Sequence, residues 1–442
     1  MRFTSLNSLP ALGLLSALAL SVPQGAQAQT QYTLTDLGPA GNPFSQAYFL
    51  NNSGLVTGLD TAPDGTQHAI AWYWGTMTDI SQPGLGGPNS GAGGVNKFGQ
   101  IIGSAETAAN DPNNENFCGY GTGKQCLTFL WDFGVMTPLP TLGGTNSNYG
   151  GINNLGEVAG IAETNQRTGC ASGVAANGTG PQVLNFEAVV WGPAPSQIRE
   201  LSPLPGDTVG MANGINDAGQ AVGASGTCAN TVIPGFAAAP HAVLWESDGT
   251  PHKLPSLGGS DPDTTVLGAG NVGFVINNSG IVAGQATLSD NKTFHPVLWE
   301  DGIVSDLGVL KGDLVGAALG LNNRGEVVGA SVSAPGPATG NPRAYVWRNG
   351  VMTDLNTLVP ADSPLYLLTA SAINDSGEIV GFGVTDDGEL HGFLATPCSA
   401  SSGACGSASA TSVTGAETLK KRKVVLSEDA RNALLRSGLR VR

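Results

Sequence analysis

The pattern Asn-x-x-Gly-x-(apolar)-x-Gly occurs seven times, beginning at Asn51, Asn96, Asn153, Asn216, Asn277, Asn322 and Asn374. Successive copies lie 45 to 63 residues apart, about 54 on average, so the chain is a series of like units that bury their cores against one another. Downstream of each copy stands a short β-prone run: HAIAW (68–72), LTFLW (127–131), EAVVW (187–191), HAVLW (241–245), HPVLW (295–299), RAYVW (343–347) and HGFLA (391–395). A third signature resembles TDLG at 35–38 and 78–80, with degenerate versions at 137–144, 199–206, 252–259, 305–308 and 353–356. Each unit therefore offers four short strands: one before the Asn turn, one after it, the Trp strand and the TDLG strand. Four such strands per unit match the blade of a β-propeller. The Asn and Gly of each motif supply the side-chain hydrogen bonds and positive φ that a tight hairpin needs.

The ends of the pattern are offset. A TDLG strand at 33–38 precedes any Asn motif, and the last unit stops after HGFLATP without a TDLG strand of its own. Pairing the two seals a ring and removes an exposed sheet edge. The expected fold is all-β, a seven-bladed β-propeller over residues 32–397 closed by an N-terminal strand. Composition agrees: 65 Gly and 27 Pro in 442 residues, with 12% charged, argue against a helical bundle.

These units resemble the HAF repeat of extracellular bacterial proteins, through HAVLW at 241–245, SDLGVLKG at 305–312 and AINDSGEIVG at 372–381. The resemblance spans roughly residues 32–397 and implies an exported, propeller-like protein; it supplies no activity and no catalytic residues. Many such proteins end in an apolar sorting segment, whereas this chain ends in a basic, Ser-rich tail.

Residues 1–28 read as a secretory signal: Arg2, an apolar run from Pro10 to Val22, and Ala26-Gln27-Ala28 as cleavage site. A secreted, periplasmic or cell-surface location follows. Residues 398–442 carry a net +5 and the leader +1, leaving −21 on residues 29–397. A body of that sign repels nucleic acid and anionic lipid. The tail is expected to be flexible, with a short helix from Ser427. Six cysteines in an exported chain favour disulfides: Cys118 with Cys126 and Cys398 with Cys405 as local clasps, and Cys170 with Cys228 between neighbouring units.

If both hairpin turns of each blade are tight, they share one face of the ring, and the variable connections 104–126, 161–186, 224–240 and 330–342 share the other. Long loops on a rigid scaffold are where binding sites are built. The loop from Ser104 to Cys126 supplies Glu106, Asp111, Glu115, Phe117 and Tyr120, candidates for contacting a sugar, a cation or a basic protein. Of the five histidines, His68, His241, His295 and His391 recur at one strand position, which points to blade packing. The repeated Trp residues read as core between blades. HExxH, GxSxG and P-loop patterns are missing, and no motif supports the Ca²⁺ that paired carboxylates could hold. The leading expectation is a monomeric, non-enzymatic propeller that binds a glycan or protein through its long-loop face. A carboxylate-based glycoside hydrolase or lyase in the channel, and a structural matrix component, are the alternatives. Non-repeated carboxylates within about 10 Å of each other on the loop face would favour the hydrolase.

Overall fold

A computed structural model describes residues 30–38, 44–167, 182–227, 240–260, 270–333, 342–398 and Ser427. The leader, the Cys170–Cys228 pair and the tail beyond Cys398, Ser427 apart, lie outside the described residues.

The described chain forms seven four-stranded antiparallel sheets, over residues 45–79, 86–138, 143–201, 209–254, 272–306, 315–354, and 366–397 with Tyr32–Asp36. We number them blades 1 to 7. The first strands of adjacent blades touch all the way round, so they line the axis of a ring. The strand Tyr32–Asp36 pairs with Leu390–Pro397, from Tyr32 opposite Pro397 to Asp36 opposite Phe393. The propeller is thus closed as the offset ends require. Among the described residues no helix is long and apolar enough to cross a membrane.

The two glycines of the motif do different work. The first takes positive φ in every copy, from +77° to +82°, which a type of turn bearing a side chain would resist. The last sits where the second strand crosses the first. A Cβ there would lie 1.9 Å from a carbonyl oxygen at Gly58, Gly223 and Gly381, so no side chain fits.

The motif's Asn is more than a turn residue. Each Oδ1 accepts the N–H groups two and four residues on, as Asn374 does from Ser376 and Glu378 at 3.0 Å. Each Nδ2 reaches the main-chain carbonyl of the equivalent Asn in the next blade: Asn51 to Asn96, Asn96 to Asn153, Asn153 to Asn216, Asn216 to Asn277, Asn277 to Asn322, Asn322 to Asn374, and Asn374 back to Asn51, all at 3.0–3.2 Å. This closed circuit stitches the turn face around the axis. The first strand of every blade also carries a register shift at the equivalent place, a bulge that no sequence signature announced.

The other two signatures meet across neighbouring strands. Nδ1 of His68, His295 and His391 lies 2.8–2.9 Å from Asp79, Asp306 and Asp36, the Asp of the TDLG strand. His241 pairs instead with Asp207 at 2.8 Å, and Arg343 with Asp313 and Asp354 at 2.9 and 3.1 Å. The indole N–H groups of Trp72, Trp191, Trp245 and Trp299 donate to Leu37, Pro140, Ser202 and Pro255, each in the connection entering the same blade. These four rings are at most 4% exposed and fill the seams between blades.

Candidate functional site

The five loop residues singled out in the sequence do not form one exposed surface. Glu106, Asp111, Glu115 and Phe117 are 1–6% exposed, and only Tyr120 is partly accessible. Glu106 accepts from Asn89 Nδ2 at 2.7 Å and from Thr122. Phe117 packs among Ile161, Phe186, Val209 and Met211, reaching from blade 2 over blade 3 to blade 4. The Tyr120 hydroxyl lies 3.4 Å from Ser104 Oγ. Cys118 and Cys126 are disulfide-bonded, as their spacing suggested. Cys398 is also disulfide-bonded, but its expected partner Cys405 lies outside the described residues.

Asp111 and Glu115 meet a carboxylate from another blade. Glu163, on the second strand of blade 3, brings its oxygens within 4.8 Å of theirs. Asp111 Oδ2 accepts from Thr145 Oγ1 at 2.7 Å and Asn146 Nδ2 at 2.8 Å. Glu115 Oε1 accepts the N–H groups of Val183 and Leu184 at 2.5 and 2.9 Å. Glu163 Oε2 accepts from the backbone and side chain of Asn146 at 2.9 and 3.0 Å, and Gln182 Nε2 donates to Oε1 at 3.0 Å. The loop is thereby pinned across blade 3. Its donors are all oxygen, the set that suits a hard cation such as Ca²⁺.

Among the described residues no Lys or Arg is ion-paired to this cluster. Burial, with the charge of Glu115 added, pushes Glu163 up to about 8, and burial raises Glu115 as well. A raised folded pKa means stability that is complete below the unfolded value near 4.5 and is lost as pH climbs through about 8. We therefore expect Glu163→Gln to flatten the fall in melting temperature between roughly pH 5 and 8.5. Glu187, also raised by burial to about 8, should leave a residual slope. Equal slopes in the two proteins would show that Glu163 is ionised in the fold.

Beside the pinned loop, Leu127 and Pro138 of blade 2 occupy the positions of the His–Asp pair of blades 1, 5 and 7, and a groove of about 700 Å³ opens there between blades 2 and 3. Its walls include Gln125, Leu127, Thr137, Pro138, Pro140 and Thr145, the last being the residue that anchors Asp111. The lining carries no charged side chain.

No protein-family model matches the chain, and no curated protein matches it. Among solved structures the chain is similar to the β-propeller domain of the Trilobed protease from Pyrococcus furiosus, at 10% identity over 83% of this chain and 97% of that chain, with a TM-score of 0.44. It is similar also to AofleA from Arthrobotrys oligospora, at 10% identity over 74% and 88% with a TM-score of 0.32. A mutant of Aleuria aurantia lectin in complex with α-methyl-L-fucoside shares 9% identity over 84% and 94%, with a TM-score of 0.32. Likeness this remote carries no information about ligands.

Proposed function

We propose that the chain is an exported binding propeller of the HAF-repeat kind that takes a glycan in the groove between blades 2 and 3. The observation that carries this reading is the groove of about 700 Å³ beside Leu127 and Pro138, with amide and hydroxyl groups set among Pro and Leu. Uncharged hydrogen-bonding groups over an apolar floor match a polyol that presents both hydroxyls and C–H faces, and the size is ordinary for a small-ligand site. A protein ligand held by the long-loop face is the broader form of the same reading. The hydrolase alternative draws on the closeness of Asp111, Glu115 and Glu163, but Glu115 and Glu163 are 1% and 0% exposed and their oxygens are engaged.

The test is a glycan array probed with the mature chain, with and without Ca²⁺, followed by product analysis of any hit. The double substitution Leu127→His with Pro138→Asp rebuilds the pair that other blades carry. It should fill the groove, leave the fold intact and weaken binding at least tenfold, roughly 1.4 kcal/mol. Hits unaffected by that change would remove the groove from consideration. No hits and no products would favour the structural matrix component.

A further inference from the structure

Four blades join the Trp strand to the outer strand through a two-residue turn with positive φ at both central positions. In blades 5 and 6 the pairs are Asp301-Gly302 and Asn349-Gly350, residue types suited to that backbone. In blades 1 and 2 they are Trp74-Gly75 and Phe133-Gly134, with φ of +48° at Trp74 and +45° at Phe133. A bulky aromatic residue in this conformation is strained, and neither ring is sheltered in return: Trp74 is 85% and Phe133 90% exposed.

The same sector differs at the inner turns. The third residue of the Asn motif is Ser, Ala or Arg in blades 1, 4, 5, 6 and 7, but Phe98 in blade 2 and Leu155 in blade 3, exposed by 62% and 60%. The residue after the motif's first Gly is Glu157, Glu326 or Glu378 in blades 3, 6 and 7, and uncharged in the others: Leu55, Gln100, Gln220 and Ile281. Lys97 stands over the Phe98 ring at 4.9 Å, and Gln100 binds the carboxylate of Asp132 beside Phe133. Tyr73 stacks on Trp74 at 5.4 Å.

We propose that this sector of the turn face docks on an uncharged lipid surface, with Trp74 and Phe133 entering the headgroup boundary. Equivalent hairpin tips of adjacent blades in a closed ring reach a common plane, so a partner that meets both rings is broad and flat. The rings stand exposed, and a bilayer interface is an acceptor that closes around such rings. The carboxylates beside Phe133 and Leu155, Asp132 and Glu157, are held by Gln100 and Asn153, whereas the −21 of the body disfavours anionic lipid. The surface is independent of the groove proposed above.

The experiment is co-flotation of the whole mature chain with sugar-free phosphatidylcholine vesicles, with Trp quenching by brominated lipid as a second readout. The wild type should float and be quenched, and added phosphatidylserine should reduce its partition. Trp74→Asn with Phe133→Asn should lower partition at least tenfold while the melting temperature holds or rises, because the turn strain is relieved. A wild type that stays unbound, or a double variant that floats equally well, would overturn the proposal. So would a concentration-dependent dimer, abolished by the double variant, with no flotation: the occupant would then be a second copy of the chain.

Discussion

Replacing Asn374 with Ala is expected to destabilise the propeller by about 3–5 kcal/mol, an unusually large effect for one uncharged residue. The side chain is 4% exposed and bonded at both ends. Its Oδ1 holds the N–H groups of Ser376 and Glu378 at 3.0 Å, while Nδ2 donates to Asn51 O at 3.2 Å and to Glu378 Oε2 at 2.7 Å. Truncation leaves the two N–H groups and the buried carbonyl of Asn51 without these partners, at about 1–3 kcal/mol for each group that stays buried. Asn374→Asp keeps the acceptor, loses the donor to blade 1 and sets a second carboxylate against Glu378. Comparison of the two by urea unfolding separates the turn from the stitch between blades. A loss below about 1 kcal/mol for Ala would falsify the view that the circuit stabilises the ring.

Removing the first strand should have a still larger effect. A chain shortened to begin at Ala40 loses the five paired positions between Tyr32–Asp36 and Leu390–Pro397. It also loses the almost fully buried Tyr32, the Asp36–His391 pair at 2.9 Å, and the carbonyl of Leu37 that receives the Trp72 indole. At about 1 kcal/mol per net hydrogen bond and about 1.5–3 kcal/mol per buried large side chain, the total is on the order of 10 kcal/mol. That equals the whole stability of many domains. The shortened chain should show no cooperative melting and should associate through the bared Leu390–Pro397 edge. A synthetic peptide of residues 29–38 should restore near-UV dichroism by adding itself as a strand. Melting unchanged from the full chain would mean that blade packing alone holds the ring.

The repeat made the architecture legible. Seven Asn motifs, seven Trp-type runs and the displaced first TDLG strand were enough to specify seven sheets and their closure, because each signature marks a turn or strand with its own backbone requirement. What the motifs do for one another was not legible. His68 and Asp79 were both visible as repeated residues, yet their pairing depends on the register between two strands. The inter-blade bond of each Asn likewise depends on how closely the turns approach around the axis. The blade 2 loop is visibly non-repeated in the sequence, but the burial of its carboxylates depends on Glu163, which arrives from another blade. A clue existed in the shared Ala-Glu-Thr at 105–107 and 162–164, which places Glu106 and Glu163 at equivalent strand positions. Leu127 and Pro138 carry no signal of a groove in the sequence, because the His–Asp contact they replace exists only in the register between two strands.

The closing strand also sets a timetable. Tyr32 stands 365 residues before its partner Pro397, so the seventh blade stays incomplete until the last strand is delivered. Earlier blades can gather in order as nearest neighbours, but the final docking is among the most non-local contacts a chain of this length can make, and such contacts form slowly. Until that docking both partner edges are open to other chains, which exposes the incomplete propeller to strand exchange.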